Sequence, residues 1–233
     1  MGFYYFNYMS FLIMLPAVLI SMYAQFKVNS TFQKYSRVNT ARRMTGADAA
    51  YRVMQFGGVQ GVQICHIGGN LNDNFNPSTG VISLSDPVYD STSVSAVGVA
   101  AHEAGHAVQH AEGYLPNKIR SALVPVTQIG SNLAMPLILI GLILPVQYDF
   151  VVNIGIALYS LCVVFQLATL PVEFNASARA LKALGETGVL DPEELRGAKK
   201  VLQAAAMTYV AATFAALLSL LRLLLIFGNR RND

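Results

Sequence analysis

The sequence is short of charge. Only 12% of its 233 residues are Asp, Glu, Lys or Arg, about half the share found in an average soluble domain. The shortage is uneven. Long stretches carry almost no charge, while 54% of the chain is apolar. That pattern argues against one large soluble core and points to membrane-spanning helices. The net charge of +3 is too small to argue for a nucleic-acid partner. Cysteine is scarce too: Cys65 and Cys162 are the only two, Cys162 lies inside an apolar run, and no C-x-x-C pair exists. A disulfide framework, a dithiol redox site and a cysteine-based zinc site are thereby excluded. Residues 1–10 contain no Lys or Arg and no small-x-small cleavage site follows, so the first apolar run reads as a retained anchor rather than a signal peptide. Internal repeats and low-complexity segments are absent.

Four apolar segments reach the roughly 20 residues needed to cross a bilayer: residues 8–26, 123–144, 151–171 and 201–227. Pro16 interrupts the first, which membrane helices tolerate. Arg222 is the one basic residue in the fourth, where a side chain of that length can snorkel. Lys27, Lys34, Arg37, Arg42 and Arg43 follow the first span, and Lys182, Arg196, Lys199 and Lys200 precede the fourth. The connection between the second and third spans has neither Lys nor Arg. This asymmetry predicts an outside N-terminus and cytoplasmic polar regions, against the weaker vote of Arg230-Arg231 in the tail.

The polar regions contain both helix and strand signals. Thr45 and Asp48 mark a helix start, and Gly57-Gly58 its end. Residues 62–67 and Val81–Ser85 alternate like strands, with a Gly/Asn-rich loop over 68–77 between them. A helix is expected from 91–93 to 112, closed by Gly113. Residues 176–184 read as helical, and Asp191 followed by Pro192 opens another helix. The expected organisation is an anchor over 1–26, a cytoplasmic α+β portion over 27–120, a transmembrane hairpin over 121–172, a cytoplasmic helical segment over 173–200, and a last span with its tail over 201–233. The fold class is thus an α-helical membrane protein with about four transmembrane helices and a small α+β, zincin-like cytoplasmic portion.

The helix expected before Gly113 carries His102-Glu103-Ala104-Gly105-His106, an H-E-x-x-H motif. Residue frequencies in this chain would produce it by chance about 2 times in 1,000. Histidines four apart lie on one helix face and can share a metal ion, while the adjacent Glu103 can accept a proton from water at that ion. Catalytic zinc takes three protein ligands, so a third is needed from His66, His110, Asp73, Glu112 or Glu173. His110 lies about 12 Å along the axis from His102, at about 1.5 Å per residue, too far for one ion to hold both. Glu112 reads as a solvated helix-end residue and His66 as structural. The metzincin extension fails, since Gln109 and Glu112 stand where it needs Gly and His. Glu173 is the strongest candidate, because a carboxylate at the end of a span needs a partner, and the two-span hairpin returns it to the side of the histidines. Asp73 is the next candidate, as a ligand or an orienting partner. Val81–Ser85 could be an edge strand that pairs with an extended substrate, a core strand being the equal alternative.

Several stretches taken together resemble the YugP-type membrane zinc metallopeptidases: Tyr23-Ala24-Gln25-Phe26-Lys27, Leu84-Ser85-Asp86-Pro87-Val88-Tyr89-Asp90-Ser91-Thr92-Ser93, residues 96–106 with the motif, Arg120-Ser121-Ala122-Leu123-Val124-Pro125-Val126, and Leu170-Pro171-Val172-Glu173-Phe174. The resemblance implies a multi-pass bacterial membrane zinc endopeptidase, broadly similar to HtpX-like and CAAX-prenyl-protease-like gluzincins. It implies Zn2+ on His102, His106 and Glu173, with Glu103 as general base. The implied surroundings are the lipid bilayer and a peptide or membrane-protein substrate at the cytoplasmic face. Two positions depart from the family pattern: Asn175 stands where an aspartate is usual, and Asn74 where a histidine often follows the loop aspartate. The rival readings are a non-enzymatic zinc-binding membrane scaffold or chaperone, and a metal transporter. The first does not need Glu103; the second predicts ionisable residues in mid-span, of which Arg222 is nearly the sole example.

Overall fold

The computed structural model describes residues 2–230, with side chains for residues 10–228. Met1 and residues 231–233, and the side chains of residues 2–9, Asn229 and Arg230, lie outside that description. In chain order the elements are α1 (Gly2–Tyr35), α2 (Gly46–Phe56), β1 (Gln63–Ile67), β2 (Asn74–Asn76), β3 (Val81–Ser85), α3 (Val94–Ala111), α4 (Leu115–Ile143), α5 (Phe150–Glu186) and α6 (Pro192–Arg230), with a 3-10 turn at Val146–Tyr148. Among the described residues, Ser10–Tyr35, Leu115–Ile143, Val146–Glu186 and Pro192–Gly228 are long and apolar enough to cross a membrane. This is a helical membrane protein with a small α+β portion. The helices run past the apolar segments that predict them. α5 carries Pro171 within it and continues to Glu186, so the third span and the helix expected at 176–184 are one element. Likewise α6 joins the helix opened by Asp191 to the fourth span.

The chain divides into two compact units. One comprises Met1–Ala24, Ile119–Leu170 and Thr208–Asp233. Its large apolar side chains point outward: Phe11 is 62% exposed, Leu139 54% and Ile143 86%, the pattern of a surface that meets lipid. Small residues make its inner contacts. A Cβ at Gly155 would stand 2.7 Å from Ile138 Cγ1 and 3.0 Å from the Ala134 carbonyl oxygen, and a Cβ at Gly141 would overlap Val152. Glycine at these points lets α4 and α5 pack backbone to backbone.

The other unit comprises Gln25–Lys118 and Pro171–Met207. Its core is conventional, with Val53, Ile82, Leu84, Val88, Val94, Val97 and Leu184 all essentially inaccessible. Thr45 caps α2 through a reciprocal box: Thr45 Oγ1 accepts from the Asp48 amide, and the Asp48 carboxylate accepts from the Thr45 amide. Asp191 caps α6 by accepting from the Glu193 and Glu194 amides at 2.8 Å. Gly113 adopts φ of +66° just past α3, a conformation that costs glycine little.

The sheet decides between the two readings of Val81–Ser85, which matters for substrate access. Its order is β1-β3-β2. β3 pairs with β1 in parallel over Gln63–Ile67, and with β2 antiparallel through Val81, Ile82 and Ser83. Val81–Ser85 is therefore the central strand, not an edge. The reason is that Asn74–Asn76, expected as loop, folds back as a third strand. Its alternation is too short to read in sequence among asparagines and glycines, which disfavour strands on propensity alone.

Candidate metal centre

α3 begins at Ser93, whose Oγ accepts from the Ala96 amide at 3.2 Å. Alanines and valines at 94, 97, 101, 104 and 108 bury one face of the helix in the core. That leaves His102, Glu103 and His106 half-buried on the adjoining face, where residues three and four apart are neighbours. Between them, Gly105 sets the distance to α5. A Cβ there would stand 2.5 Å from the Ala176 carbonyl oxygen, closer than any real side chain tolerates. With glycine the two backbones approach, and Glu173, one turn before Ala176, reaches the histidines.

His102 Nε2 and His106 Nε2 lie 3.2 and 3.5 Å from the same Glu173 oxygen. One ligand atom from each of the three residues falls within 4.8 Å of the others. Ligands about 2 Å from a tetrahedral zinc ion stand about 3.3 Å from one another, so both distances match an edge of that tetrahedron. The donor set also fits: two borderline imidazole nitrogens and one carboxylate oxygen. Charge points the same way. The Glu173 side chain is only 3% exposed, and Glu103 adds a second carboxylate on the helix. A divalent cation would balance both, where isolated buried carboxylates are costly. The same two carboxylates bear on His106. Burial opposes its charging, but the Glu173 hydrogen bond, the charges of Glu103 and Glu173 and the contact with Gln109 together raise its pKa above the ordinary 6.5.

Each imidazole is held from behind. His102 Nδ1 meets Ser177 Oγ at 3.0 Å, and His106 Nδ1 meets Gln109 Oε1 at 3.1 Å. Gln109 is fully buried. Its Nε2 donates to the Val172 carbonyl at 2.8 Å and to Asn175 Oδ1 at 2.9 Å. Arg179 Nε donates to the same Asn175 oxygen at 2.7 Å, and Arg179 Nη1 pairs with Glu112 at 2.6 Å.

The remaining candidates lie apart from this cluster. Asp73 accepts from the Ser85 amide and hydroxyl at 2.8 to 3.0 Å and so pins the loop to β3. His66 pairs with Asp86 at 2.8 Å, and Asp86 is held below the usual carboxylate range by the Gly69 amide and His66. His110 is exposed and meets the Phe75 ring at 5.9 Å. Asn74, the first residue of β2, donates to the Asn72 carbonyl in the loop before it. Sequence reasoning passed over Gln109, Ser177 and Arg179. The available signal was helical spacing: Gln109 lies three residues past His106, the residue it holds, and Ser177 lies four past Glu173, on the face of α5 that meets the histidines.

Four apolar helices and a His, His, Glu cluster on two helices make this a helical membrane protein with a candidate metal centre. The chain belongs to the family described as "Putative neutral zinc metallopeptidase", whose profile matches residues 10–228. It is 43% identical over 219 residues to the "Putative membrane protease YugP" of Bacillus subtilis (strain 168), an alignment covering 94% of this chain and 96% of the relative. No solved structure matches.

Proposed function

We propose that the protein is a membrane-bound zinc-dependent metalloendopeptidase that hydrolyses peptide bonds of membrane-associated proteins or peptides. The observation that carries this reading is the convergence of His102, His106 and Glu173 ligand atoms within 4.8 Å, beside a glutamate with no other evident task. His102, His106 and Glu173 would hold the zinc ion, which when bound supplies Lewis acidity toward the scissile carbonyl and water. Glu103 follows His102 by one residue, about 100° round the helix. Its carboxylate makes no hydrogen bond to protein among the described residues, so it is free to take a proton from the attacking water and deliver it to the leaving amine. The substrate would lie along the outer edge of β2, which packs against α3 and pairs with β3 on its other side only. An open edge binds extended backbone without demanding a sequence. The excess of Lys and Arg after the first span and before the fourth favours a cytoplasmic site in a bacterial cell membrane. Glu173 follows the third apolar segment by two residues, which favours substrates held near the bilayer.

A zinc-binding scaffold is the alternative. Structural zinc closes with four protein ligands, whereas three converge here, and Glu103 would be superfluous. The deciding experiment compares wild type with Glu103→Gln on an unfolded protein substrate in detergent, with zinc content measured for both. Loss of proteolysis with zinc retained is expected. Equal proteolysis by the two would defeat the peptidase reading.

A further inference from the structure

The chain of hydrogen bonds behind His106 has a polarity that can be deduced from its far end. Arg179 has donors and no acceptor. Its Nε lies 2.7 Å from the Asn175 side chain, so Asn175 must present oxygen there. That oxygen is also 2.9 Å from the Gln109 side chain, so Gln109 must present its NH2. The Val172 carbonyl, an acceptor with nothing to donate, stands 2.8 Å from the same nitrogen and forces the same choice independently. With its NH2 committed twice, Gln109 turns its oxygen to His106 Nδ1 at 3.1 Å. His106 Nδ1 must then carry a proton, which leaves Nε2, 3.5 Å from Glu173, as the nitrogen that can serve a metal.

We propose that Gln109, oriented by Asn175 and Arg179, is the positioning residue that fixes His106 in its Nδ1–H tautomer and so keeps Nε2 available to metal. The proposal rests on the zinc reading above for its function but not for its geometry. Amide orientation and imidazole tautomer are ambiguous when taken alone; here a guanidinium and a main-chain carbonyl settle both. His102 has no such constraint, since the Ser177 hydroxyl that meets its Nδ1 can donate or accept. The chain also accounts for Asn175. The position needs an acceptor facing Gln109 and Arg179, and either an amide or a carboxylate provides one.

The test is histidine 15N NMR of the full-length protein in detergent, with zinc affinity measured by chelator competition. In zinc-loaded wild type, His106 is expected to show a proton on Nδ1 that exchanges slowly with water. Gln109→Met keeps the side chain's length and removes both polar ends. It should lose that protected proton and weaken zinc binding by about 10- to 100-fold, the usual effect of removing such a partner. Asn175→Asp keeps an acceptor facing Gln109 and Arg179 and should keep the slowly exchanging proton on His106 Nδ1. A proton on His106 Nε2 in wild type, or unaltered zinc affinity in Gln109→Met, overturns the proposal, and the wild-type spectrum decides it even if the variant fails to fold. Should wild type bind no zinc, the metalloprotease reading falls. The tautomer is then read in the zinc-free protein at a pH above the imidazole titration, where Nδ1–H still supports the proposal and Nε2–H still overturns it.

Discussion

The two units of this chain solve opposite problems with the same residues. In the unit built from Met1–Ala24, Ile119–Leu170 and Thr208–Asp233, large apolar side chains such as Phe11, Leu139 and Ile143 face outward while Ala134 and the glycines face in. In the other unit Ile82, Leu84 and Leu184 are wholly buried, and Gln109 and Glu173 are buried with them. The difference follows from the solvent each surface meets. Lipid is as apolar as leucine, so burying leucine there gains little, and close packing of small residues holds helices together. Against water, burial of apolar area supplies the drive, and it can offset the cost of enclosing a few polar groups that are fully hydrogen-bonded. The candidate metal centre belongs to the second kind of region.

The sharpest separation is between chemistry and structure at the cluster. Glu103→Gln should lower peptidase activity by about 100- to 10,000-fold, the range for loss of a general base, with zinc content unchanged by metal analysis. Next in size is the contrast between two leucines. Leu84→Ala, at a fully buried position, should cost about 2–5 kcal/mol in denaturant unfolding of the water-facing unit. Leu139→Ala, at an outward position of α4, should shift stability by only a few tenths of a kcal/mol. If the two cost the same, the division into lipid-facing and water-facing surfaces is wrong.

Two glycines break the comparison in another way. Gly105→Ala places a methyl 2.5 Å from the Ala176 carbonyl and must push α3 from α5, costing about 1–3 kcal/mol and reducing zinc occupancy. Gly155→Ala meets Ile138 and the Ala134 carbonyl at 2.7 and 3.0 Å; it should lower the melting temperature and leave zinc stoichiometry intact. Metal analysis of both purified variants separates the outcomes.

The smallest effect concerns pH. The raised pKa of His106 in the metal-free site means that its ion pairing contributes stability fully below the unfolded value of about 6.5. That contribution is lost as pH rises through the higher folded value. Zinc needs the neutral ring, so its added stability runs the other way and fades on acidification. Melting curves of stripped and zinc-loaded protein, from about pH 5 to about pH 9, should therefore diverge with rising pH; parallel curves would remove His106 from the metal linkage.

Much of the fold was legible because its signals are local. Charge-free runs announce the membrane helices; Thr45 with Asp48, and Asp191 with Pro192, announce helix starts within four residues. The motif histidines share a face by spacing alone. β2 was not legible, because Asn74-Phe75-Asn76, set between Asp73 and Pro77, forms a strand only when β3 offers a partner. For the same reason edge and central positions for β3 were equally open in the sequence. The continuity of α5 through Pro171 was missed because proline usually ends a helix in sequence. Gln109 and Arg179 were missed because a buried amide and a guanidinium acquire meaning only from what they face.

The sequence by itself determined the helical membrane class, the motif helix and a short set of possible third ligands. Each depends on contacts within a few residues or on hydropathy, which is additive along the chain. Only the tertiary structure decided which carboxylate meets the histidines. It did so through a glycine on α3 and a turn of α5 that lie some seventy residues apart in sequence and pack backbone to backbone. It also decided which way the amides behind His106 point, since hydrogen-bond direction is a property of the assembled network and of no residue alone.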